Sequence, residues 1–135
     1  MVVLTATIQH AERLGQMIDG ALVVHGQLPA KVRRERMVQA QTTRILIGTL
    51  SLLSEGLDIP PLTSLIMAAP VSASTEKETP AATRLIQSIG RCRRPYPGKS
   101  RAFVLDLRDE HPMARSAAKK RMAVYAGKGF DIRQR

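Results

Sequence analysis

Much of what this chain does not do follows from what it lacks. Among 135 residues there is one cysteine, Cys92, no tryptophan, and only two Phe and two Tyr. A single cysteine closes no internal disulfide and builds no cysteine-based zinc site, which fits a reducing, intracellular and cytoplasmic location. His10, His25 and His111 lack the spacing of metal ligands and read as structural, so no metal site is expected. No run of 18 apolar residues occurs, so no membrane span or membrane partner is expected. Met1 leads into Val-Val-Leu without the basic region and small-residue cleavage site of a signal peptide. A chain that opens directly on its first strand reads as a lobe separated from a longer protein. A phosphate-binding loop is also missing. Gly98-Lys99-Ser100 invites that reading, but the loop needs glycine five positions earlier, where Arg93 stands, and the run leads into a strand. Four aromatics (Tyr96, Phe103, Tyr125, Phe130) are too few for a base-stacking platform.

What is present is positive charge. Lys and Arg number 21 against 11 Asp and Glu, a net +10. Residues 87–101 carry Arg91, Arg93, Arg94, Lys99 and Arg101 with no acid. Residues 112–135, a basic C-terminal helix and tail, carry seven cations (Arg115, Lys119, Lys120, Arg121, Lys128, Arg133, Arg135) against Asp131 alone. Such a field suits a polyanion, above all nucleic acid held through its backbone. A solvated basic surface is the plainer alternative.

The length suits one domain with one core, residues 1–135. Val2–Leu4 reads as a buried strand, and residues 9–19 as a helix with Ala11, Leu14 and Ile18 inward, stopped by Gly20. Ala21–His25 is a second strand. Pro29 suits the first position of a helix running to about Gln39, basic on its outer side through Lys31, Arg33, Arg34 and Arg36. Arg44–Gly48 is a third strand. Residues 49–61 hold a helical turn and a loop marked by Gly56 and two prolines. Leu65–Ala69 is a fourth strand, and Pro70–Thr79 an exposed loop. Thr79-Pro80 suits the start of the next helix, which Pro95 ends. Ala102–Leu107 is a fifth strand. A basic helix runs from Pro112 to about Tyr125 with Ala118, Met122 and Tyr125 inward. Strands alternating with helices predict an α/β fold with a largely parallel sheet.

The stretch Gln87–Arg94, Gln-Ser-Ile-Gly-Arg-Cys-Arg-Arg, is the centre of this arrangement. On a helix, residues 87, 91 and 94 share a face, while Leu85, Ile86 and Ile89 turn towards a core. One amide and two guanidinium forks suit a phosphate. Equally, arginines near a helix end can cap its carbonyls and complement its dipole. Arg94, preceding proline, is pushed off the helix to its rim. In parallel sheets ligands gather at the carboxyl ends of strands. Three loops leave such ends carrying functional residue types: His25-Gly26 after the second strand, Thr49 with Glu55-Gly56-Leu57-Asp58-Ile59-Pro60 after the third, and, after the fourth strand and its loop, the Gln87–Arg94 helix.

These segments together resemble the C-terminal RecA-like lobe of a superfamily 2 helicase. Ile45–Pro60, ILIGTLSLLSEGLDIP, is similar to motif V of that superfamily, and Gln87–Arg94 matches the QxxGRxxR pattern of motif VI. Val3–Leu14 resembles the strand and helix at motif IV, and His25–Arg33 the segment that follows it. The likeness spans residues 2 to about 130. It implies a RecA-like three-layer sandwich with a mostly parallel sheet of about five or six strands.

The resemblance also implies roles. Arg91 and Arg94 correspond to the arginines that reach the γ-phosphate of ATP held, with Mg2+, by a separate N-terminal RecA-like lobe in cis or in trans. Gln87, Gly56 and Asp58 correspond to residues near the nucleotide. Thr49 corresponds to the threonine that touches the nucleic-acid backbone, with Gly26 and Arg33 on the same track. The glutamine often found three residues before that arginine is Ala30 here. RNA-directed DEAD-box members usually carry His-Arg where Gln87-Ser88 stands, and Arg-Gly-Ile-Asp where Glu55–Asp58 stands. The chain therefore looks closer to DNA-directed repair, branch-migration or restriction translocases, including phage ones, with RNA as the other possible partner. Walker A and B sequences are absent, so the expectation is half of an ATP-dependent helicase, inactive alone. The alternative is a stand-alone basic α/β module that binds nucleic acid without ATPase activity.

Overall fold

In the computed structural model the described residues are 1–51, 59–70 and 80–133, without the side chains of residues 80–82 and 84. The elements alternate as expected: β1 (Val2–Thr5), α1 (Ile8–Met17), β2 (Ala21–Val24), α2 (Ala30–Gln39), β3 (Ile45–Thr49), β4 (Ser64–Met67), α3 (Pro80–Cys92), β5 (Phe103–Asp106) and α4 (Pro112–Gly127). Every strand pairing is parallel and the order is β2-β3-β1-β4-β5. This is the α/β architecture that the alternation predicted, with five strands among the described residues.

The order dictates where the helices lie. The chain moves one way from β1 to β2 and the opposite way at each later crossover. With right-handed crossovers, α1 covers one face, and α2 and α3 the other. The packing agrees. Val3, Ala11 and Ile47 form a small core under α1, joined by Leu14, Ile18, Val23 and Ile66. Val2, Leu4, Leu46, Leu65 and Met67 form the larger core of the opposite face, with Leu85, Ile89 and Cys92 of α3 and Val124 and Tyr125 of α4. Central β1 and β3 are buried on both faces, so their sequences run apolar without alternation.

Helix ends follow local chemistry. Thr7 caps α1, its hydroxyl accepting from the His10 amide at 3.2 Å. Pro29 precedes α2 as its cap, one position outside the expected start. His111 caps α4, Nδ1 accepting from the Met113 amide at 3.4 Å. The expected Thr79 cap and most of the Pro70–Thr79 loop lie outside the described residues.

Four expectations are corrected. Ile86 is 36% exposed, because the buried stripe of α3 runs through Leu85, Ser88, Ile89 and Cys92 and residue 86 falls beside it. Arg36 is half-buried rather than on the outer side of α2. Its Nη1 donates to the Val23 carbonyl at 2.6 Å, covering the free edge of β2. The inner face of α4 is Ala114, Ala117, Ala118, Arg121, Val124 and Tyr125, while Met122 is only partly buried. Arg121 therefore leaves the basic surface altogether: it is 0% exposed. Its guanidinium donates to both Asp106 carboxylate oxygens at 2.7 and 2.6 Å, and the Tyr125 hydroxyl donates to Oδ2 at 2.6 Å. Burial opposes the charge on Arg121, but the hydrogen bonds and charge of Asp106 outweigh it and hold its pKa above the ordinary value. Burial, then the same carboxylate, pushes the Tyr125 phenol up. No described helix is long and apolar enough to cross a membrane.

Candidate nucleotide and nucleic-acid interface

Two surfaces carry the residues singled out by the sequence. The first is the carboxyl edge of the sheet. Thr5 and Thr49 are register partners at the carboxyl ends of the neighbouring strands β1 and β3, the edge at which parallel sheets bind ligands. Thr49 is 7% exposed, and its hydroxyl pairs with Ser51 Oγ at 2.9 Å. Thr5 Oγ1 donates to the Thr7 carbonyl at 3.0 Å, which fixes the exit of β1. Further along, the Leu28 amide donates to the His25 carbonyl at 3.2 Å and closes a turn around exposed Gly26. From the first turns of α2, Arg33 Nη1 reaches back to the Gly26 carbonyl at 3.4 Å. Gly26 and Arg33 are thus brought together. Gly56 and Asp58 lie outside the described residues.

His25 is buried beside this turn, with Nε2 3.4 Å from Glu12 Oε1 of α1. This contact bridges α1 and the end of β2. Among the described residues no cluster of His, Cys, Asp and Glu could hold a metal ion.

The second surface is α3. Its start follows the carboxyl end of β4, but the helix runs back along the sheet. Cys92 at its end lies against the first residue of β5, with Sγ 3.8 Å from the Phe103 carbonyl. Lys99 Nζ donates to the Arg94 carbonyl at 2.9 Å and lines a shallow cleft with Thr63, Ser64 and Phe103. Arg91 and Arg94 therefore sit towards the amino edge, away from Gly26 and Thr49. Only the start of this helix, and not its arginines, follows the carboxyl end of a strand. Gln87 is exposed, Arg91 half-buried, and Arg94 exposed just beyond the helix, at the rim as its proline neighbour requires. Between them Ser88, Ile89 and Cys92 are buried, so the motif has one anchored and one outward side. Burial pushes the Cys92 thiol up, which marks it as an inert packing group.

Sequence reasoning missed how the end of this motif is held. Arg93 packs over the Phe130 ring, 5.3 Å from its centroid, and Phe130 meets Tyr125 edge-on at 6.1 Å. The segment after α4 therefore braces the last residues of the motif. Nothing in the local pattern announces this, because Arg93 and Phe130 are 37 residues apart in the chain.

Residues 1–96 match the family model described as the helicase conserved C-terminal domain. The chain belongs to that family. No curated protein matches the chain. Among solved structures, this helicase C-terminal domain is similar to the C-terminal domain of the DEAD-box protein Dbp5. That likeness has a TM-score of 0.66 at 21% identity, over 98% of this chain and 71% of that one. A Dbp5 C-terminal domain variant from S. cerevisiae, bound to Gle1 and IP6, gives 0.64 at 20% identity over the same shares. The Hef helicase domain of Pyrococcus furiosus gives 0.49 at 17%, over 94% of this chain and 24% of that one. At the identities of the two Dbp5 structures the likeness is one of fold, and it is the RecA-like fold expected. The family match ends before β5 and α4 of this helicase C-terminal domain begin.

Proposed function

We propose that this helicase C-terminal domain is the second lobe of an ATP-dependent, superfamily 2 DNA helicase or translocase. Arg91 and Arg94 would act as arginine fingers on ATP and Mg2+ held mainly by an N-terminal RecA-like lobe, with Gln87, Gly56 and Asp58 near the nucleotide. Thr49, Gly26 and Arg33 would follow the nucleic-acid backbone at the carboxyl edge. The observation that carries this reading is the orientation of α3. It presents Gln87, Arg91 and Arg94 from the helical face and the amino edge, apart from the strand ends that carry Gly26 and Thr49, and this separation supports assigning nucleotide to one surface and nucleic acid to the other. Guanidinium forks are suited to charge building on a transferring phosphoryl group, an effect worth ~10³–10⁵ in rate. The Gln87-Ser88 and Glu55–Asp58 signatures favour DNA over RNA.

The chain has no Walker sequences, so it is proposed to be inactive alone. The test supplies an N-terminal helicase lobe, fused or in trans, and measures DNA-stimulated ATP turnover. Arg94→Ala is expected to keep ATP binding and lose most turnover. Turnover that survives both Arg91→Ala and Arg94→Ala would remove the finger assignment and favour the second reading, a basic module that binds nucleic acid without an ATPase.

A further inference from the structure

The helix α4 lies outside the family match and breaks two local rules. Helices favour acids in the first turn and cations in the last. This one has no acid in its first turn, and residues 112–128 contain none at all, while Arg115 stands close to its positive end. Arg115 and Lys119 are four residues apart, a like-charge pair that weakens an isolated helix by about 0.2–0.5 kcal/mol. The nearest preceding acids are Asp109 and Glu110, and Asp109 accepts from the His111 amide at 3.0 Å.

The roll of α4 about its axis is fixed. Arg121 and Tyr125 are both held on buried Asp106, and Ala114, Ala117, Ala118 and Val124 face the same way. Helical geometry then turns Arg115, Ser116, Lys119, Lys120 and Ala123 outward, and all five are exposed. The small side chains of Ser116 and Ala123 leave the surface around the three cations low, and no aromatic side chain is among them. This face can meet a chain of phosphates closely but cannot stack or read bases. It belongs to the β5 end of the sheet, four strand spacings from β2, or about 19 Å from the strand that leads to Gly26.

We propose that Arg115, Lys119 and Lys120 of α4 form a second nucleic-acid site that takes the sugar-phosphate backbone without sequence preference. The inference rests on the nucleic-acid half of the function proposed above and not on the ATP half. The charges left unpaired within the helix are the ones a polyanion neutralises. Binding to this face releases counterions and is correspondingly salt-dependent.

The test measures affinity of the 135-residue chain for a labelled DNA oligonucleotide from about 50 to about 200 mM salt. It compares wild type, the triple variant Arg115→Gln, Lys119→Gln, Lys120→Gln, and Arg33→Gln. Glutamine keeps helix propensity close to that of Lys and Arg, so α4 should persist, and a thermal melt checks it. The expected result is a log–log salt slope shallower by roughly 2.7 in the triple variant, about 0.9 for each phosphate no longer neutralised. An unchanged slope in the triple variant, with binding weakened by Arg33→Gln, overturns the α4 site and leaves the strand-end track standing. Absence of binding to both DNA and RNA oligonucleotides overturns the two together. Binding to phosphatidylserine vesicles but not to oligonucleotides, lost in the triple variant, also overturns the proposal and gives the face to a membrane surface.

Discussion

Replacing Asp106 with Asn tests whether α4 is held by charge. The carboxylate is 5% exposed at its side chain and the Arg121 guanidinium 1%, and three hydrogen bonds of 2.6–2.7 Å converge on the two carboxylate oxygens. Asparagine keeps the shape but leaves a buried guanidinium without its counter-charge and turns one acceptor into a donor facing other donors. Removing one partner of a buried pair costs about 3–5 kcal/mol. An unfolding entropy of about 2.1 cal/mol/K per residue gives about 0.28 kcal/mol/K for a chain of this length. Asp106→Asn should therefore lower the thermal midpoint by about 11–18 °C, read by circular dichroism at 222 nm with urea titration as the second probe. The triple variant Asp106→Leu, Arg121→Met, Tyr125→Phe removes both charges and the hydroxyl that bonds to the carboxylate, and should recover most of the loss, because the desolvation of the pair disappears with its attraction and no buried donor is left unpaired. A drop under about 4 °C for the single variant, roughly 1 kcal/mol, would refute the argument. It would mean that water reaches the pair and that α4 is anchored by Val124 and Tyr125 packing instead.

Two further outcomes follow from the same packing. Because Tyr125 keeps its proton in the fold beyond the pH at which a free phenol loses it, the unfolded chain binds fewer protons above about pH 10. Its stabilising share is thus complete below that pH and lost as pH rises further. Urea midpoints from pH 9 to 11 should fall in wild type and fall less in Tyr125→Phe; parallel curves would show that the phenol is not linked to folding. On α1, a Cβ at Gly15 would run into Val23 Cγ2, a stiff β-branched neighbour on β2. Gly15→Ala should destabilise by about 1–3 kcal/mol despite the better helix propensity of alanine, and a stabilised variant in chemical denaturation would contradict the close α1–β2 approach.

The fold was largely legible because its centre is simple. Apolar runs such as Val2–Leu4 and Ile45–Ile47 belong to strands covered on both faces, and Gly20 and Pro95 mark boundaries for local reasons that no tertiary contact overrides. Strand bounds came out within two residues at β2, β3, β4 and β5. What stayed hidden depends on the far side of a fold. In β5 and just past it the apolar residues Phe103, Leu105 and Leu107 alternate as an inward face should, yet they are 58%, 55% and 52% exposed. The inward face is Val104 and Asp106, because the carboxylate has Arg121 and Tyr125 to meet, 15 and 19 residues away in sequence. The same partnership concealed Arg121 within what reads as a uniformly basic tail. At the candidate site, the spacing of Gln87, Arg91 and Arg94 already placed Gln87 and Arg91 on the outward side of α3 and Arg94 just past its end, which is where they lie. Their separation from Gly26 and Thr49 was not legible, since it depends on the direction in which α3 crosses the sheet.

The outward row of Phe103, Leu105 and Leu107 on an edge strand also governs how the molecule behaves in bulk solution. An exposed apolar row on an edge strand favours association between copies, and a net charge of +10 opposes it. That repulsion reaches about 10 Å in 0.1 M salt and only about 3 Å at 1 M. Concentrated salt, the usual means of stripping nucleic acid from a basic protein, therefore also removes the barrier to self-association. Colloidal stability should be greatest in dilute electrolyte, or with a polyanion already in place.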